Sequence, residues 1–414
     1  MLNNIYRLRI HSLFCISLVF AVLLTTFPVS TAIPFESKQS DIFSNPTTDS
    51  FFGIGIRATM IAGHIPSVSA GIIKDDTLIY DQGFGWYDFN GFKQPDKHTI
   101  YQVASVSKTV TATALLQLYE QGLFGLDDDV NTYLPFNLRN PSYPDVPITF
   151  RMLLSHHASL HDHDEYSAYE YFEGDFDISY VSEILDPNGS DFHPEFWGEY
   201  PPGAGGNYSN MGFTVLGYLV ELLSGQTLED YCQEHIFQPM KMYNTSFDLD
   251  SLNPDQIACQ YLRLGRIYLK IPLVDYSFLD PCGGLLSSVE DLSHFAIAHM
   301  NQGIYDGVRI LNETTIRKIH TIQYPKSEPY YGLLSFGLGW LIFAEEYGVR
   351  SHGHDGDIGT SHARMRIFDE NQTAIIYLFN KGFRPSLLPR IIPNLIENQA
   401  DKLIRKQLYS EALT

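Results

Sequence analysis

Residues 101 to 125 read YQVASVSKTVTATALLQLYEQGLFG, and this stretch decides how the rest of the chain is understood. It holds Ser105-Val106-Ser107-Lys108, the one Ser-x-x-Lys in the sequence. Apolar residues at Val106, Val110, Leu115 and Leu118 predict a helix with one buried face, closed by Gly122 as its C-terminal cap. Residues i and i+3 share a helix face, so the Lys108 amine falls within reach of the Ser105 hydroxyl. A serine is a poor nucleophile until a base takes its proton, and a lysine kept neutral by burial or by nearby cations can be that base. Backbone N–H groups at the helix start would also support a developing oxyanion. About one Ser-x-x-Lys is expected by chance in a chain of this length, so its position and neighbours carry the weight.

With 414 residues the chain can bury a large core, enough for a sizeable enzyme fold with lobes. Apolar and aromatic contents of 44% and 14% exclude wholesale disorder. A net charge of −21 argues against a nucleic-acid partner, which needs a basic face.

Residues 1 to 32 have the form of a secretory signal: Arg7 and Arg9, an apolar run from Ser12 to Phe27, then small residues at Ser30-Thr31-Ala32. The expectation is export, with membrane attachment if the segment stays uncleaved. Residues 33 to 50 read as a polar lead-in, 51 to 400 as the body of the fold, and 401 to 414 as a C-terminal tail. Cys15 leaves with the signal, so Cys232, Cys259 and Cys282 allow at most one disulfide. Asn188, Asn244, Asn312 and Asn371 stand in glycosylation sequons.

Ser67 to Ile73, a turn at Asp75-Asp76, then Thr77 to Tyr80 and Gly83-Phe84-Gly85 predict a β-hairpin. The acidic run Asp127-Asp128-Asp129 reads as charge at a helix N-terminus. His156, His157, His161 and His163 crowd into eight residues and invite a metal reading. An H-x-H-x-D-H pattern laid on from His161 fails at Glu165 and Tyr166, so solvated loop histidines are expected and no metal. Residues 161 to 200 carry 12 Asp or Glu, no Lys or Arg, and ten aromatics. Such a stretch is either a lid or binding wall, or an acidic solvated excursion.

Tyr208-Ser209-Asn210, the one Tyr-x-Asn among 26 tyrosines, lies between a Gly-rich turn and an apolar helix from Phe213 to Leu223. A tyrosine there can relay a proton between serine and leaving group, and an amide can orient a substrate. His354-Asp355-Gly356 is the one His-x-Gly, followed by a predicted hairpin of Ala363 to Phe368 and Thr373 to Phe379. No G-x-S-x-G occurs, against an α/β-hydrolase elbow.

With Ser105-x-x-Lys108, Tyr208-x-Asn210 and His354-x-Gly356 in this order, the chain resembles the serine β-lactamase and penicillin-recognising hydrolase superfamily. The resemblance is to its class C-like branch, which includes D-aminopeptidases and esterases, and it runs from about Pro66 to about Gly382. It implies an α/β (α+β) fold, an all-helical lobe packed on an antiparallel sheet flanked by helices, with the site between lobes and no cofactor. Ser105 would be the acylated nucleophile, Lys108 and Tyr208 its proton-transfer partners, and Asn210 a substrate-positioning amide. His354, at the sheet edge, would replace the family's Lys-Thr-Gly lysine. The oxyanion hole would be the amides of Ser105 and Asp357, beside Gly356, with the Asp357 carboxylate close by. His157-Ala158-Ser159-Leu160 departs from the usual Thr-Ser-Gly-Leu. The expected activity is that of a secreted esterase or D-amino-acid peptidase acting on a small-molecule or peptide substrate. The alternatives are a true β-lactamase or D-Ala-D-Ala carboxypeptidase, and a non-catalytic ligand-binding protein of the same fold.

Overall fold

The computed structural model describes residues 33–34, 56, 60–61, 64–162, 177–264, 267–273, 277–325, 334–346, 349–358 and 360–380. The signal segment, nearly all of the lead-in and the C-terminal tail lie outside these residues. Among the described residues no helix is long and apolar enough to cross a membrane.

Seven strands make one antiparallel sheet: β1 (Ser67–Lys74), β2 (Thr77–Gly85), β3 (Leu334–Phe336), β4 (Leu341–Glu346), β5 (Val349–Ile358), β6 (Ser361–Phe368) and β7 (Thr373–Asn380), in the order β3-β4-β5-β6-β7-β1-β2. Both expected hairpins are present. Their turns run through Asp75 and Gln372, each in the left-handed region. Strand β7 is buried along its whole length because it has strand partners on both edges and apolar layers on both faces. Its alternation sorts the core: Ala374, Ile376 and Leu378 join the large cluster shared with the helices, while Ile375, Tyr377 and Phe379 join Ile56, Met60, Val68, Ala70 and Ile72 on the other face. Helix α3 (Val289–Met300) lies on the first face, so close that a Cβ on Gly71 of β1 would fall 2.5 Å from Val289 Cγ1.

The helical lobe is built on α1 (Ser107–Glu120) and α2 (Asn210–Ser224), capped by Gly122 and Gly225 in the left-handed conformation. The expectation of one buried face on α1 is corrected, because the helix is buried nearly all round from Ser107 to Leu116. Its polar residues tolerate this because each hydroxyl returns a hydrogen bond to backbone: Ser107 to the Ala104 carbonyl at 2.6 Å, Thr109 to Val106 at 2.7 Å, Thr111 to Pro281 at 2.7 Å and Thr113 to Thr109 at 2.8 Å. The acidic run behaves as expected at its end, where Asp129 caps a single 3-10 turn over Val130–Thr132.

The stretch 161 to 200 divides. Residues 163–176 lie outside the described set. The remainder is no solvated excursion, since Ile178, Val181, Ile184, Leu185, Phe196 and Trp197 pack into the main core. Cys232, Cys259 and Cys282 are all buried, and among the described residues no disulfide joins them.

The turn Asp280–Gly284 wedges between α1 and α2, and a Cβ on Gly217 of α2 would lie 2.2 Å from Pro281 Cγ. Alanine in a helix interior is intrinsically favoured over glycine by about 1 kcal/mol. The overlap should reverse that sign. Gly217→Ala is expected to lower stability by about 1–2 kcal/mol in thermal or urea unfolding, the usual scale of overpacking. A stabilised variant would show that this packing is not tight.

Candidate active site

The chain reaches Ser105 through Ala104, which holds φ +48 although it is not glycine. A 3-10 turn over Ala104–Val106 then leads into α1, which carries Lys108 one turn further on. Ser209 caps α2 by accepting from the Gly212 amide at 3.1 Å, and so places Tyr208 just outside the helix and Asn210 at its first position. Strand β5 closes the third side. Its pairing with β4 stops at Gly353, so on that side the segment from His354 to Ile358 faces the 103–105 backbone, although the strand lies inside the sheet. A Cβ on Gly356 would lie 2.1 Å from the Val103 carbonyl oxygen and 3.1 Å from the Ser105 nitrogen, so no larger residue fits there without displacing the nucleophile.

Lys108 is fully buried. Its ammonium donates to Ser105 Oγ at 3.1 Å, Asn210 Oδ1 at 2.6 Å and the Cys282 carbonyl at 2.7 Å. Three protons thus meet three acceptors. The Tyr208 ring lies 4.9 Å from the lysine nitrogen, and both Lys108 and Ser105 act on its hydroxyl by lowering the phenol pKa. Burial pulls the lysine pKa down, but Tyr208, the Cys282 thiol and Asp162 outweigh it, and the pKa lies above the ordinary lysine value. The expectation of a lysine neutralised by burial is therefore corrected. Burial likewise pushes the Tyr208 phenol up, with Lys108 pulling against it. The resting site is an ammonium beside a neutral phenol.

His354 is buried, and its Nδ1 lies 2.6 Å from the Asp355 carbonyl oxygen. That bond assigns the proton to Nδ1 and leaves Nε2 as an acceptor, for which the described residues supply no partner. Burial, helped by the charge of Lys108, pushes the ring pKa down to about 3. The ring is neutral, and its centre lies 6.1 Å from that of Tyr208.

Asp357 sits where the motif places it, but its carboxylate does not. Because Gly356 turns toward Ser105, strand alternation sends the Asp357 side chain to the opposite face. There Oδ2 lies 3.2 Å from Nδ1 of His362, its cross-strand neighbour.

Three residues in and around the site went unassigned in the sequence. His156, expected in solvent, is buried and stacked on Tyr208 with ring centres 4.5 Å apart, and its Nδ1 accepts from the Ser209 amide at 3.1 Å. His157, also expected in solvent, is buried and stacked on Tyr324 at 4.0 Å. Asp162 accepts from the Asn210 amide at 2.7 Å and from Asn210 Nδ2 at 2.8 Å. Among the described residues no group of three or more His, Cys, Asp or Glu side chains could hold a metal ion.

A serine hydrogen-bonded to a buried lysine with a tyrosine packed beside them, between a helical lobe and an antiparallel sheet, is the arrangement of a serine hydrolase of the penicillin-recognising type. A family model described as Beta-lactamase matches residues 56–395, and the chain belongs to that family. Its relatives include a protein named flp from Staphylococcus aureus (strain MW2), 23% identical over 84% of this chain and 65% of that protein. The chain thus spans slightly under two thirds of that relative's length. A putative D-alanyl-D-alanine carboxypeptidase of Escherichia coli (strain K12) is 26% identical over 80% of this chain and 82% of its own. Among solved structures, a D-amino acid amidase from Ochrobactrum anthropi SV3 superposes with a TM-score of 0.68 at 20% identity, covering 85% of this chain and 99% of that one. An octameric penicillin-binding protein homologue from Pyrococcus abyssi gives 0.65 at 25% identity, covering 81% and 74%.

The neutral state of His354 is directly measurable. In nitrogen-15 NMR of histidine-labelled protein, its Nε2 resonance should keep the shift of an unprotonated ring nitrogen from about pH 8 down to about pH 5, where an ordinary histidine titrates. A midpoint within that window would contradict the assignment.

Proposed function

We propose that this protein is an exported serine hydrolase that cleaves neutral esters or amides, and substrates bearing a free amine, through an acyl-enzyme on Ser105. The observation that carries the reading is the Ser105–Lys108–Tyr208 contact set beside a buried, neutral His354. In acylation Ser105 Oγ forms a bond to the substrate carbonyl carbon, and its proton passes to the Tyr208–Lys108 pair after that pair has lost one proton. The same pair returns a proton to the departing alcohol or amine, and water repeats the sequence to release the acid. The amides of Ser105 and Asp357 are the proposed oxyanion donors, and Asn210 the group that orients the substrate. Because both Lys108 and Tyr208 rest protonated with raised pKa values, the base form is the minor one and grows as pH rises. Turnover should therefore increase toward alkaline pH.

Substrate choice follows from charge. β-Lactams and D-Ala-D-Ala peptides carry a carboxylate, and His354 offers it a lone pair where a family lysine offers a cation. Arg364 and Arg366 on the adjacent strand do not replace that cation, because both are held by Asp355, at 2.7 Å and 2.8 Å. Lys108 already has its three acceptors and the Asp162 carboxylate within electrostatic reach. An amidase and a putative carboxypeptidase among the relatives agree with acyl transfer but do not choose between these substrates.

A panel of p-nitrophenyl esters, D-amino-acid amides and a chromogenic cephalosporin, assayed on wild type and on Ser105→Ala, tests the reading. At least one neutral ester or amide should exceed the cephalosporin in kcat/KM, and Ser105→Ala should lose about 10⁴-fold or more. Cephalosporin turnover above every neutral substrate would instead support the β-lactamase alternative. Retention of activity in Ser105→Ala would remove the nucleophile assignment.

A further inference from the structure

We propose that Asp162 is a positioning residue of this site, holding Asn210 in the single amide orientation that turns Oδ1 to Lys108 and supplying the counter-charge to that lysine. The inference rests on the acyl-transfer reading above. An isolated carboxamide can be flipped with little cost, and flipping Asn210 would set its NH₂ against the Lys108 ammonium. Asp162 prevents this because its two oxygens take the Asn210 backbone N–H and the Nδ2 group together. With both oxygens accepting, only Oδ1 remains to meet Lys108, at 2.6 Å. Three residues from three segments, Asp162, Asn210 and Lys108, thus form one chain of charge-assisted hydrogen bonds ending at Ser105 Oγ.

A carboxylate near a helix start is often no more than a cap. Here the capping side chain is already Ser209, which accepts from Gly212. Asp162 additionally grips the Asn210 side chain, which a cap does not require. Its own pKa is raised by burial, opposed by the Asn210 amide and by Lys108. Removing its charge should lower the pKa of Lys108, since Asp162 is among the groups that raise it. The groups facing Lys108 are Tyr208 and Asn210 from the α2 entry, Cys282 from the Asp280–Gly284 turn, His156 and Asp162 from the 156–162 segment, and His354 from β5. His156 and His354 are held neutral by burial, so among these partners Asp162 is the carboxylate opposed to the ammonium.

The test is kcat and KM against pH, with the best neutral ester, for wild type, Asp162→Asn, Asn210→Ala and the double variant. Asp162→Asn is expected to reduce kcat about 10-fold to 100-fold with a smaller change in KM, the scale of a misplaced catalytic group. Its rising pH limb should move to lower pH, because the base form becomes accessible earlier. Above the rising limb, kcat of the double variant should be within about 2-fold of that of Asn210→Ala alone, because positioning by Asp162 acts through Asn210, while the limb still moves to lower pH with the loss of the Asp162 charge. A purely capping role predicts a lower melting temperature with an unmoved pH limb and multiplicative losses, and that result would overturn the proposal. Should Asp162→Asn fail to fold, Asp162→Glu keeps the charge and displaces it by one methylene. It should then lose kcat with the limb in place, and wild-type kcat in that variant would equally overturn the proposal. The two readings fail separately: an inactive wild type sinks the acyl-transfer reading, whereas an active wild type dependent on Ser105 with an unaffected Asp162→Asn sinks this inference alone.

Discussion

A buried ammonium is the constraint on which the rest of this structure depends. Placing Lys108 inside the protein without partners would cost several kcal/mol even after relaxation. The fold meets that cost with the Cys282 carbonyl, the Asn210 amide oxygen and Ser105 itself. Each acceptor comes from a different element, and each element has a visible reason to be where it is. The Asp280–Gly284 turn sits close because Gly217 lets Pro281 against α2 and because Thr111 ties the Pro281 carbonyl to α1. Asn210 faces inward because Ser209 ends the helix one residue before it. The chemistry and the packing of the helical lobe are therefore the same set of contacts.

The second constraint is the approach of β5 to the nucleophile. Gly356 lets the sheet backbone reach the Val103 carbonyl, and Ala104 adopts a left-handed conformation in the same crossing. Backbone strain of this kind costs about 1–3 kcal/mol and persists where surrounding packing over-determines it. Val103, Ala104 and Ile358 all belong to the main core, which supplies that packing. The serine is thus held between a rigid helix start and a rigid strand, as an acyl-transfer site requires.

Much of this was legible in the sequence, for reasons that can be named. Ser105 and Lys108 are three residues apart on one helix, so local geometry alone brings them together. The two hairpins announced themselves by alternation and polar turns, and the Gly122 cap of α1 by position. His156 and Asp162 were not assigned because their partners, Tyr208 and Asn210, lie some 50 residues away, and the crowd of histidines around them drew attention to metal chemistry. The all-round burial of α1 was equally hidden, since a Thr reads as surface until its hydroxyl finds a carbonyl such as that of Pro281. The placement of the Asp357 side chain, by contrast, could have been read. Once Gly356 faces the nucleophile, period-2 alternation sends its neighbour away.

The central claim is that Ser105, held by Lys108 and Tyr208, is the residue that becomes acylated. Intact-mass and peptide-mapping mass spectrometry after reaction with a fluorophosphonate probe tests it most directly. The account predicts one adduct per chain, on the peptide containing Ser105, formed more slowly by about 10²-fold to 10⁴-fold in Lys108→Ala, the range expected for losing a proton-transfer partner. An adduct on any other serine, or the same labelling rate without Lys108, would contradict it.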